Sequence, residues 1–218
     1  MPAKASAAAV PRELRTQGRK TMARLLEAGM EVLAERGYQA TRVDDIVRTA
    51  DTSHGTFYLY FQNKDDLFRA LANSAADEMA ALADQLGPID GGPAGREELR
   101  RFLGQFLDTY ERHGAVIRAW AENQVDDPTL ITLGLDTFGG IAATLIERME
   151  EAGVRPAADI ALAGTILVAT IERLVYFVTS RPLGLPADEL VDELAGMLHR
   201  GFFGGAVSRR RAERSPKS

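Results

Sequence analysis

The chain has 218 residues, of which 45% are apolar and 26% are charged, and this composition is ordinary for a soluble globular protein of one large or two modest domains. It contains no cysteine, which excludes disulfides and thiolate metal sites. No uninterrupted apolar run reaches the roughly 18 residues of a membrane span, and the N-terminus lacks the basic-then-apolar pattern of a secretory signal. We therefore expect a cytoplasmic protein that does not associate with a membrane.

The net charge of −5 conceals a strong asymmetry along the chain. Residues 1–64 carry +3, residues 65–205 carry −12, and the last thirteen residues carry +4. Positive charge is therefore concentrated at the two ends, and the middle of the chain is acidic. This distribution fits a DNA-binding head that is joined to a body with a different role.

The N-terminal residues 1–15 are rich in alanine, with two prolines and a few basic groups, and they predict a flexible arm. Four basic residues at this end are candidates for phosphate or minor-groove contacts: Arg12, Arg15, Arg19 and Lys20. A solvated tail is an equally good interpretation of each. From about residue 16 to Arg36, apolar residues at helical spacing predict the first helix, and Gly37 is a natural stop.

The stretch TRVDDIVRTADTSHGTFYLYFQNK, residues 41–64, contains two short helical patterns separated by a polar break. The hydroxyl of Thr41 is predicted to cap the first helix, and the apolar positions within residues 43–50 fall on one helical face. Residues 51–52 form the break, and Ser53 is a good N-cap for the second helix. Two short helices joined by about three turn residues are the helix-turn-helix plan, in which the second helix enters the major groove of DNA.

The second short helix carries side chains that suit contact with nucleic acid. Four residues at its start suit the recognition of base edges: Ser53, His54, Gly55 and Thr56. Three further residues suit phosphate contacts: Tyr58, Tyr60 and Lys64. Phe57 and Phe61 are spaced i and i+4, and we expect both in the core. Burying the two tyrosines instead would require polar partners for their hydroxyls.

These residues resemble the DNA-binding domain of the tetracycline-repressor (TetR) family of bacterial transcription regulators. The resemblance covers about a third of the chain, roughly residues 16–71, and rests on Ala-Thr at 40–41, Asp-Ile-Val at 45–47 and SxGTFYxYFxNKxxL at 53–67. It implies DNA-backbone contacts by Thr41, Tyr58, Tyr60 and Lys64. It also implies positions at or near the bases for Arg42, Ser53, His54, Gly55 and Thr56. This chain departs from the family pattern at three positions: Asp51 and Thr52 replace the usual glycine and aliphatic residue of the turn, and Arg42 replaces a common second threonine.

Beyond Lys64 the pattern stays helical, so the predicted fold class is all-α. It comprises an N-terminal three-helix helix-turn-helix DNA-binding domain and a larger C-terminal helical ligand-binding and dimerisation domain. The predicted segments are a flexible arm at 1–15, the DNA-binding domain at 16–63, the helical body at 64–205 and a disordered basic tail at 206–218. Within the body, helices are expected over about 64–86, 96–112, 115–125, 128–151, 158–179 and 187–203, with a glycine- and proline-rich loop at 87–95.

The last two helices predict self-association. The helix over 158–179 is apolar nearly all round, so it must be covered on more than one side. The segment 187–203 offers a second apolar surface, and no further element is available to cover both. We therefore expect a homodimer through these two helices, and the resemblance implies the same arrangement as a four-helix bundle. A twofold dimer would present its recognition helices to a palindromic DNA operator with half-sites ~34–36 Å apart or slightly more.

The resemblance also implies that the body encloses a pocket for a small-molecule effector. The candidate apolar lining residues are Phe102, Phe106, Tyr110, Trp120, Phe138, Ile141 and Phe177. The candidate polar anchors are Asn123, Gln124, Thr137 and Thr170. A packed core is the alternative interpretation of each aromatic residue. The implied ligand is an apolar or amphipathic small molecule.

Signatures of catalysis are weak in this sequence. The three histidines show no metal-ligand spacing, and neither a phosphate-binding G-x-x-x-x-G-K nor a G-x-S-x-G elbow is present. Asp126 and Asp127 precede Pro128, which favours helix capping over metal binding, and Glu172–Arg173 indicates an ion pair more than a ligand contact. We predict a homodimeric repressor, not an enzyme and without a cofactor, that its ligand releases from DNA. The alternative is an all-α small-molecule-binding protein or enzyme that does not bind DNA.

Overall fold

The structure is a computed structural model that describes residues 12–122, 127–154, 159–181, 184 and 186–204, with side chains from residue 17 onward. Within these ranges every regular element is helical, which confirms the predicted all-α class. The helices are α1 Arg12–Ala40, α2 Val43–Thr49, α3 His54–Tyr60, α4 Lys64–Asp84, α5 Pro93–Arg112, α6 Gly114–Ala121, α7 Pro128–Glu151, α8 Ile160–Thr179 and α9 Ala187–Leu198. A π-helical turn, His199–Phe203, follows α9. Asn123, Gln124, residues 1–11 of the predicted arm and the tail 206–218 lie outside the described residues.

The chain forms two compact units, Met1–Leu71 and Ala72–Ser218, here called the head and the body. The division falls within α4 and not at its start, where the sequence pattern placed it. The reason is that Leu67, Phe68 and Leu71, in the first two turns of α4, are buried side chains of the head. Phe68 packs edge-on against Tyr38, with ring centroids 5.0 Å apart. A Cβ on Gly29 of α1 would lie 2.6 Å from a methyl carbon of Leu67, so α1 and α4 approach closely at this glycine.

The first helix is longer than expected and breaks where the sequence indicates. It begins at Arg12, before the expected start at residue 16, because the Arg-Glu-Leu-Arg segment consists of strong helix formers. Its regular geometry ends at Gly37, whose φ of 73° and ψ of 166° are essentially restricted to glycine.

The turn between α2 and α3 has an unusual backbone that a side chain from α1 holds in place. Asp51 has a φ of 46°, in the left-handed region that favours glycine and that aspartate tolerates better than most residues. Asp51 thus adopts the left-handed conformation at the position where the family resemblance predicts glycine. The guanidinium of Arg24 donates to the carbonyl of Asp51 at 2.9 Å and also to the carbonyl of Ala50. These bonds tie the turn to the first helix.

The body is built around α5, which packs against both α8 and α9, while α7 packs along α8. Three rings of α5 follow one another through the core: the centroids of Phe102 and Phe106 are 6.0 Å apart, and those of Phe106 and Tyr110 are 5.4 Å apart. The contact between α7 and α8 is closest at Gly164, where a Cβ would lie 2.2 Å from Cγ1 of Ile146. Residue 164 therefore has no room for a side chain.

The apolar surfaces of α8 and α9 differ in how they are covered. Most apolar residues of α9 are buried within the chain, where α9 packs against α5, and Met197 is exposed; the buried ones are Val191, Leu194, Ala195 and Leu198. By contrast, Leu162, Ile166 and Phe177 of α8 are exposed. The single chain therefore leaves an apolar face of α8 uncovered. On α9 most of the apolar surface is covered by α5, which the sequence pattern did not identify as its neighbour.

Two helices of the body, α7 and α8, are long and apolar enough to cross a membrane when judged by length and composition alone. The sequence alone had indicated no membrane span, because no uninterrupted apolar run is long enough. The helices of a protein core pass the same test, and these two pack along each other. Leu145 of α7 and Leu167 of α8 are both fully buried in one hydrophobic core. Membrane insertion therefore has no support beyond length and composition.

Candidate nucleic-acid interface and ligand cavity

The third helix buries one side chain and exposes most of the others. Its N-cap is Ser53, as predicted: the Ser53 hydroxyl accepts a hydrogen bond from the backbone N–H of Thr56 at 3.1 Å. Phe57 is fully buried and packs against Phe61, with ring centroids 5.6 Å apart. The residues open to solvent are His54, Gly55, Tyr58 and Leu59. This arrangement leaves one face of α3 available for a partner.

Leu59 is a candidate contact residue that the sequence pattern did not identify. Its side chain is 81% exposed, which is unusual for leucine in the middle of a short helix. Apolar side chains in the major groove can contact the methyl group of thymine. The exposure of Leu59 could have been read from the sequence, because Leu59 lies two positions from the buried Phe57 and so points away from the core. The sequence did not show what an exposed leucine at this position would contact.

His54, at the first position of α3, is paired with a residue of α2. Its Nε2 lies 2.6 Å from Oδ1 of Asp44, and both side chains are exposed. The two residues are ten positions apart, so only the folded turn brings them together. The carboxylate restrains the imidazole ring at the start of the candidate recognition helix.

Thr41 and Lys64, both predicted to contact the DNA backbone, have bonding partners inside the head. Thr41 is only 6% exposed, and its hydroxyl donates to the carbonyl of Gly37 at 2.8 Å. It does not cap α2 as predicted, because its side chain is turned back towards α1 and the N-cap position is Arg42. The Lys64 ammonium donates to the carbonyls of Tyr38 at 3.0 Å and Thr41 at 3.3 Å, and lies 4.6 Å from the centroid of the Tyr38 ring.

The remaining predicted contacts divide into exposed and partly packed groups. Arg42 is exposed at the start of α2. Tyr60 is half-buried, and its hydroxyl oxygen would lie 3.4 Å from a Cβ placed on Gly18 of α1. Two other arginines of the head, Arg36 and Arg48, donate to the buried carboxylate of Asp45 and so join α1 to α2. Arg42 is therefore better placed for an outside partner than either of them.

The body contains a cavity of about 730 Å³, within the range of small-molecule sites. Its walls come from α4 to α8. The lining residues are Met79, Tyr110, Ile117, Trp120, Ala121, Asp127, Leu130, Ile131, Gly134, Leu135, Thr137, Phe138, Gly139, Ala142, Thr165, Val168 and Glu172. Four of the predicted residues are among them: Tyr110, Trp120, Thr137 and Phe138. Trp120 also covers Gly134, where a Cβ would lie 2.9 Å from the indole ring.

Five other predicted lining residues lie elsewhere. Phe102, Phe106 and Ile141 are fully buried core residues outside the lining. Thr170 and Phe177 lie on the exposed side of α8: the Thr170 hydroxyl donates to the Ile166 carbonyl of the same helix, and the Arg181 guanidinium stacks on the Phe177 ring. The helical period explains the difference, since residues 165, 168 and 172 face the cavity and residues 170 and 177 are rotated away from it.

Glu172 introduces a charge into this mostly apolar lining. Its Oε1 accepts a hydrogen bond from the Tyr110 hydroxyl at 2.9 Å. Burial raises the pKa of Tyr110, and the negative charge of Glu172 raises it further, so the phenol stays protonated and acts as the donor. The predicted ion pair is present but loose, because Nε of Arg173 lies 3.8 Å from Oε2 of Glu172. In the sequence, this charge is visible as a Glu-Arg pair within the otherwise apolar α8.

Metal chemistry finds no support among the residues that the structure describes, where no group of three or more histidine or acidic side chains is arranged to hold an ion. The histidines have separate partners. Nε2 of His113 lies 2.6 Å from Glu78, and Nε2 of His199 lies 2.7 Å from the carbonyl of Asp90. Asp127 caps α7 as the sequence predicts, accepting from the backbone N–H of Thr129 at 2.9 Å.

The head also matches a known family. Residues 25–71 match the model of the bacterial regulatory proteins of the tetR family. The head is therefore similar to the tetR family over these residues. This match contains α2, α3 and the buried turns of α4, and so covers the surface described above.

Curated regulators and solved structures of regulators are also similar to this chain. The transcriptional regulator AcuR of Cereibacter sphaeroides is 39% identical over 90 residues, which are 41% of this chain and 41% of AcuR. A TetR-like regulator from Rhodococcus sp. RHA1 is 25% identical with a TM-score of 0.64, over 88% of this chain and 97% of that one. The FadR regulator of Bacillus subtilis, solved in complex with stearoyl-CoA, is 20% identical with a TM-score of 0.65, over 82% of this chain and 98% of that one. The chain spans about half the length of the curated relatives that it matches.

Proposed function

We propose that this chain is a homodimeric transcriptional repressor of the cytoplasm, which binds a palindromic operator in double-stranded DNA and is released by a small apolar or amphipathic molecule. The observation that carries the proposal is α3. It is anchored in the head by a single buried side chain, Phe57, and its other face is exposed within the segment that matches the tetR family. A short, firmly seated helix with an open face is what entry into the major groove requires.

In this proposal the residues around α3 divide the work of binding. Base edges are met from the start of α3 and from α2, by Arg42, Ser53, His54, Gly55 and Thr56. The DNA backbone is met by Tyr58, Tyr60 and Lys64. The Thr41 hydroxyl is already bonded within the head, so it is not the group that we assign to a phosphate. Backbone contacts fix the position of the head, and base contacts select the sequence.

The exposed apolar face of α8 supports self-association. Leu162, Ile166 and Phe177 lie on one side of this helix and are exposed in the single chain. Contiguous exposed apolar surface in a water-soluble protein marks an interaction site, and a second copy related by a twofold axis covers such a face with itself. We therefore assign the dimer contact mainly to α8, with α9 adding Met197, its one large exposed apolar residue.

The cavity supports control by a small molecule. Its volume and mostly apolar lining match the sites that bind such ligands, and a structural relative, FadR, holds stearoyl-CoA. Release from DNA requires that the ligand bind the non-DNA-binding conformation more tightly, because a ligand with equal affinity for both conformations shifts nothing. The bound state is therefore expected to have a lower operator affinity than the free state.

The test is selection of bound sequences from random duplex DNA by the purified protein, at two salt concentrations. We expect enrichment of one palindrome, with an affinity that falls steeply as salt rises, because phosphate contacts release counterions. The selection is repeated after unfolding and refolding, which removes any ligand that was carried through purification. A refolded protein that enriches no sequence would contradict the proposal.

Single substitutions then test the division of work on α3. Tyr58→Phe removes one phosphate contact and is expected to weaken binding to all sequences alike. His54→Ala and Thr56→Ala are expected to change which sequence is preferred. If both of these variants kept the original preference, α3 would not be the element that recognises the bases.

A further inference from the structure

We infer that the effector is a lipophilic cation, whose positive charge is met by the carboxylate of Glu172 inside the cavity. The inference rests on the proposed function only in taking the occupant of the cavity as the effector.

The charge of the cavity lining has one sign. Its charged members among the described residues are Asp127 and Glu172, both acidic, and none is basic. Residues 123–126, Asn-Gln-Val-Asp, which precede Asp127 in the sequence, contain no lysine or arginine. An anionic ligand such as a carboxylate or a phosphate would therefore enter without a cationic partner from the lining. Placing like charges together in a partly desolvated site is unfavourable.

The two acidic residues differ in their availability. The Asp127 carboxylate accepts from the backbone N–H of Thr129 at 2.9 Å and from the Thr129 hydroxyl at 2.7 Å, so it is engaged in capping α7. Glu172 is 19% exposed, and among the described residues its one hydrogen-bond donor is the Tyr110 hydroxyl on Oε1. A carboxylate has about four acceptor positions. Glu172 therefore retains capacity for a cationic group.

The neighbouring Arg173 does not neutralise this site from within. Its side chain is 69% exposed, and the contact to Oε2 of Glu172 is 3.8 Å long. The guanidinium also lies 5.0 Å from the ring centroid of Tyr176, so it is shared between two partners. Solvent screening leaves such exposed pairs with little interaction energy. The negative charge of Glu172 thus remains available on the cavity side.

Aromatic residues of the cavity lining also suit a cationic ligand. Tyr110, Trp120 and Phe138 all line the cavity, and the faces of such rings attract cations. The rest of the lining is aliphatic, including Leu130, Leu135 and Val168, and suits a ligand whose bulk is apolar. A molecule with an apolar body and one positive charge meets both features.

The test uses two ions of the same shape and opposite charge, tetraphenylphosphonium and tetraphenylborate. Binding is followed by calorimetry and by the fluorescence of Trp120, which is the one tryptophan of the chain and lines the cavity. We expect the cation to bind at least 10-fold more tightly than the anion. In Glu172→Gln, which keeps an acceptor for Tyr110, cation affinity is expected to fall at least 10-fold. Glu111→Gln, an exposed acidic position of α5, makes the same change in net charge and is expected to retain the wild-type preference.

The inference is overturned if the anion binds as tightly as the cation, if neither ion binds, or if Glu172→Gln keeps the full preference. Operator binding by the same preparations separates this failure from failure of the proposed function. A protein that binds its operator but shows no preference for the cation contradicts the ligand class alone. A protein that prefers the cation but selects no DNA sequence keeps the ligand class and contradicts the regulatory role.

Discussion

Replacing Lys64 with methionine should destabilise the head even when no DNA is present. The substitution keeps the length of the side chain but removes an ammonium that donates to the carbonyls of Tyr38 and Thr41 and lies over the Tyr38 ring. Hydrogen bonds to charged groups contribute about 1.5–3 kcal/mol each when buried, and a cation–π contact about 0.5–1 kcal/mol. Because Lys64 is half-buried, water replaces part of this interaction. We therefore expect Lys64→Met to lower the free energy of unfolding by about 2 kcal/mol.

The measurement is urea denaturation at a fixed protein concentration, combined with hydrogen exchange to locate the loss. Faster exchange should be confined to the amides of the head, because that unit contains all three partners. Lys20→Met removes a charge from an exposed position of α1 and is the matched control, with an expected change below about 0.5 kcal/mol. Equal stabilities of Lys64→Met and Lys20→Met would refute the reasoning, and Lys64 would then serve DNA contact alone.

Four further substitutions test the backbone, the core and the surface. Asp51→Gly should raise the free energy of unfolding by up to about 1 kcal/mol, because glycine adopts the φ of 46° without strain. The midpoint of thermal unfolding should rise slightly, and a lower midpoint would contradict this. Gly164→Ala should cost about 1–3 kcal/mol in urea denaturation, since its Cβ would lie 2.2 Å from Ile146. Gly140→Ala, where nothing lies within 4 Å, should instead gain about 0.5–1 kcal/mol. Under the proposed α8 contact, the wild-type chain should be a dimer and Ile166→Glu a folded monomer in analytical ultracentrifugation, and a dimer that persists in Ile166→Glu would exclude the α8 face.

The helical elements of this chain could be predicted because local signals and global packing agree. Gly37, the Ser53 cap and Asp127 before Pro128 each act on the backbone within a few residues, and the structure has all three where the sequence indicates. Periodicity also identified Phe57 as a core residue. By contrast, Thr41 was expected to cap α2, and its hydroxyl instead bonds to the carbonyl of Gly37. The Thr41 hydroxyl could either accept from an N–H at the start of α2 or donate to the Gly37 carbonyl. Only the folded geometry decides between these two bonds.

The cavity could be predicted less well, because residue type does not tell which side of a buried helix faces an empty space. Phe106 and Trp120 have the same aromatic character, yet Phe106 is sealed in the core and Trp120 lines the cavity. The contact of Glu172 with Tyr110 spans 62 positions and depends on how α5 and α8 pack. The pairing of His54 with Asp44 depends in the same way on the angle between α2 and α3.

Two of the residues that line the cavity, Ile131 and Leu135, are also largely exposed on α7. Substitutions at exposed positions usually change the free energy of unfolding by less than about 0.5 kcal/mol, whereas changes to a packed core cost several times more. Under the proposed function, variation at these two positions would therefore alter the range of accepted molecules while the fold keeps its stability. A lineage carrying such a body would acquire new effectors by ordinary point mutation, and a library of variants at these two positions would be the first to screen for a sensor of a chosen compound.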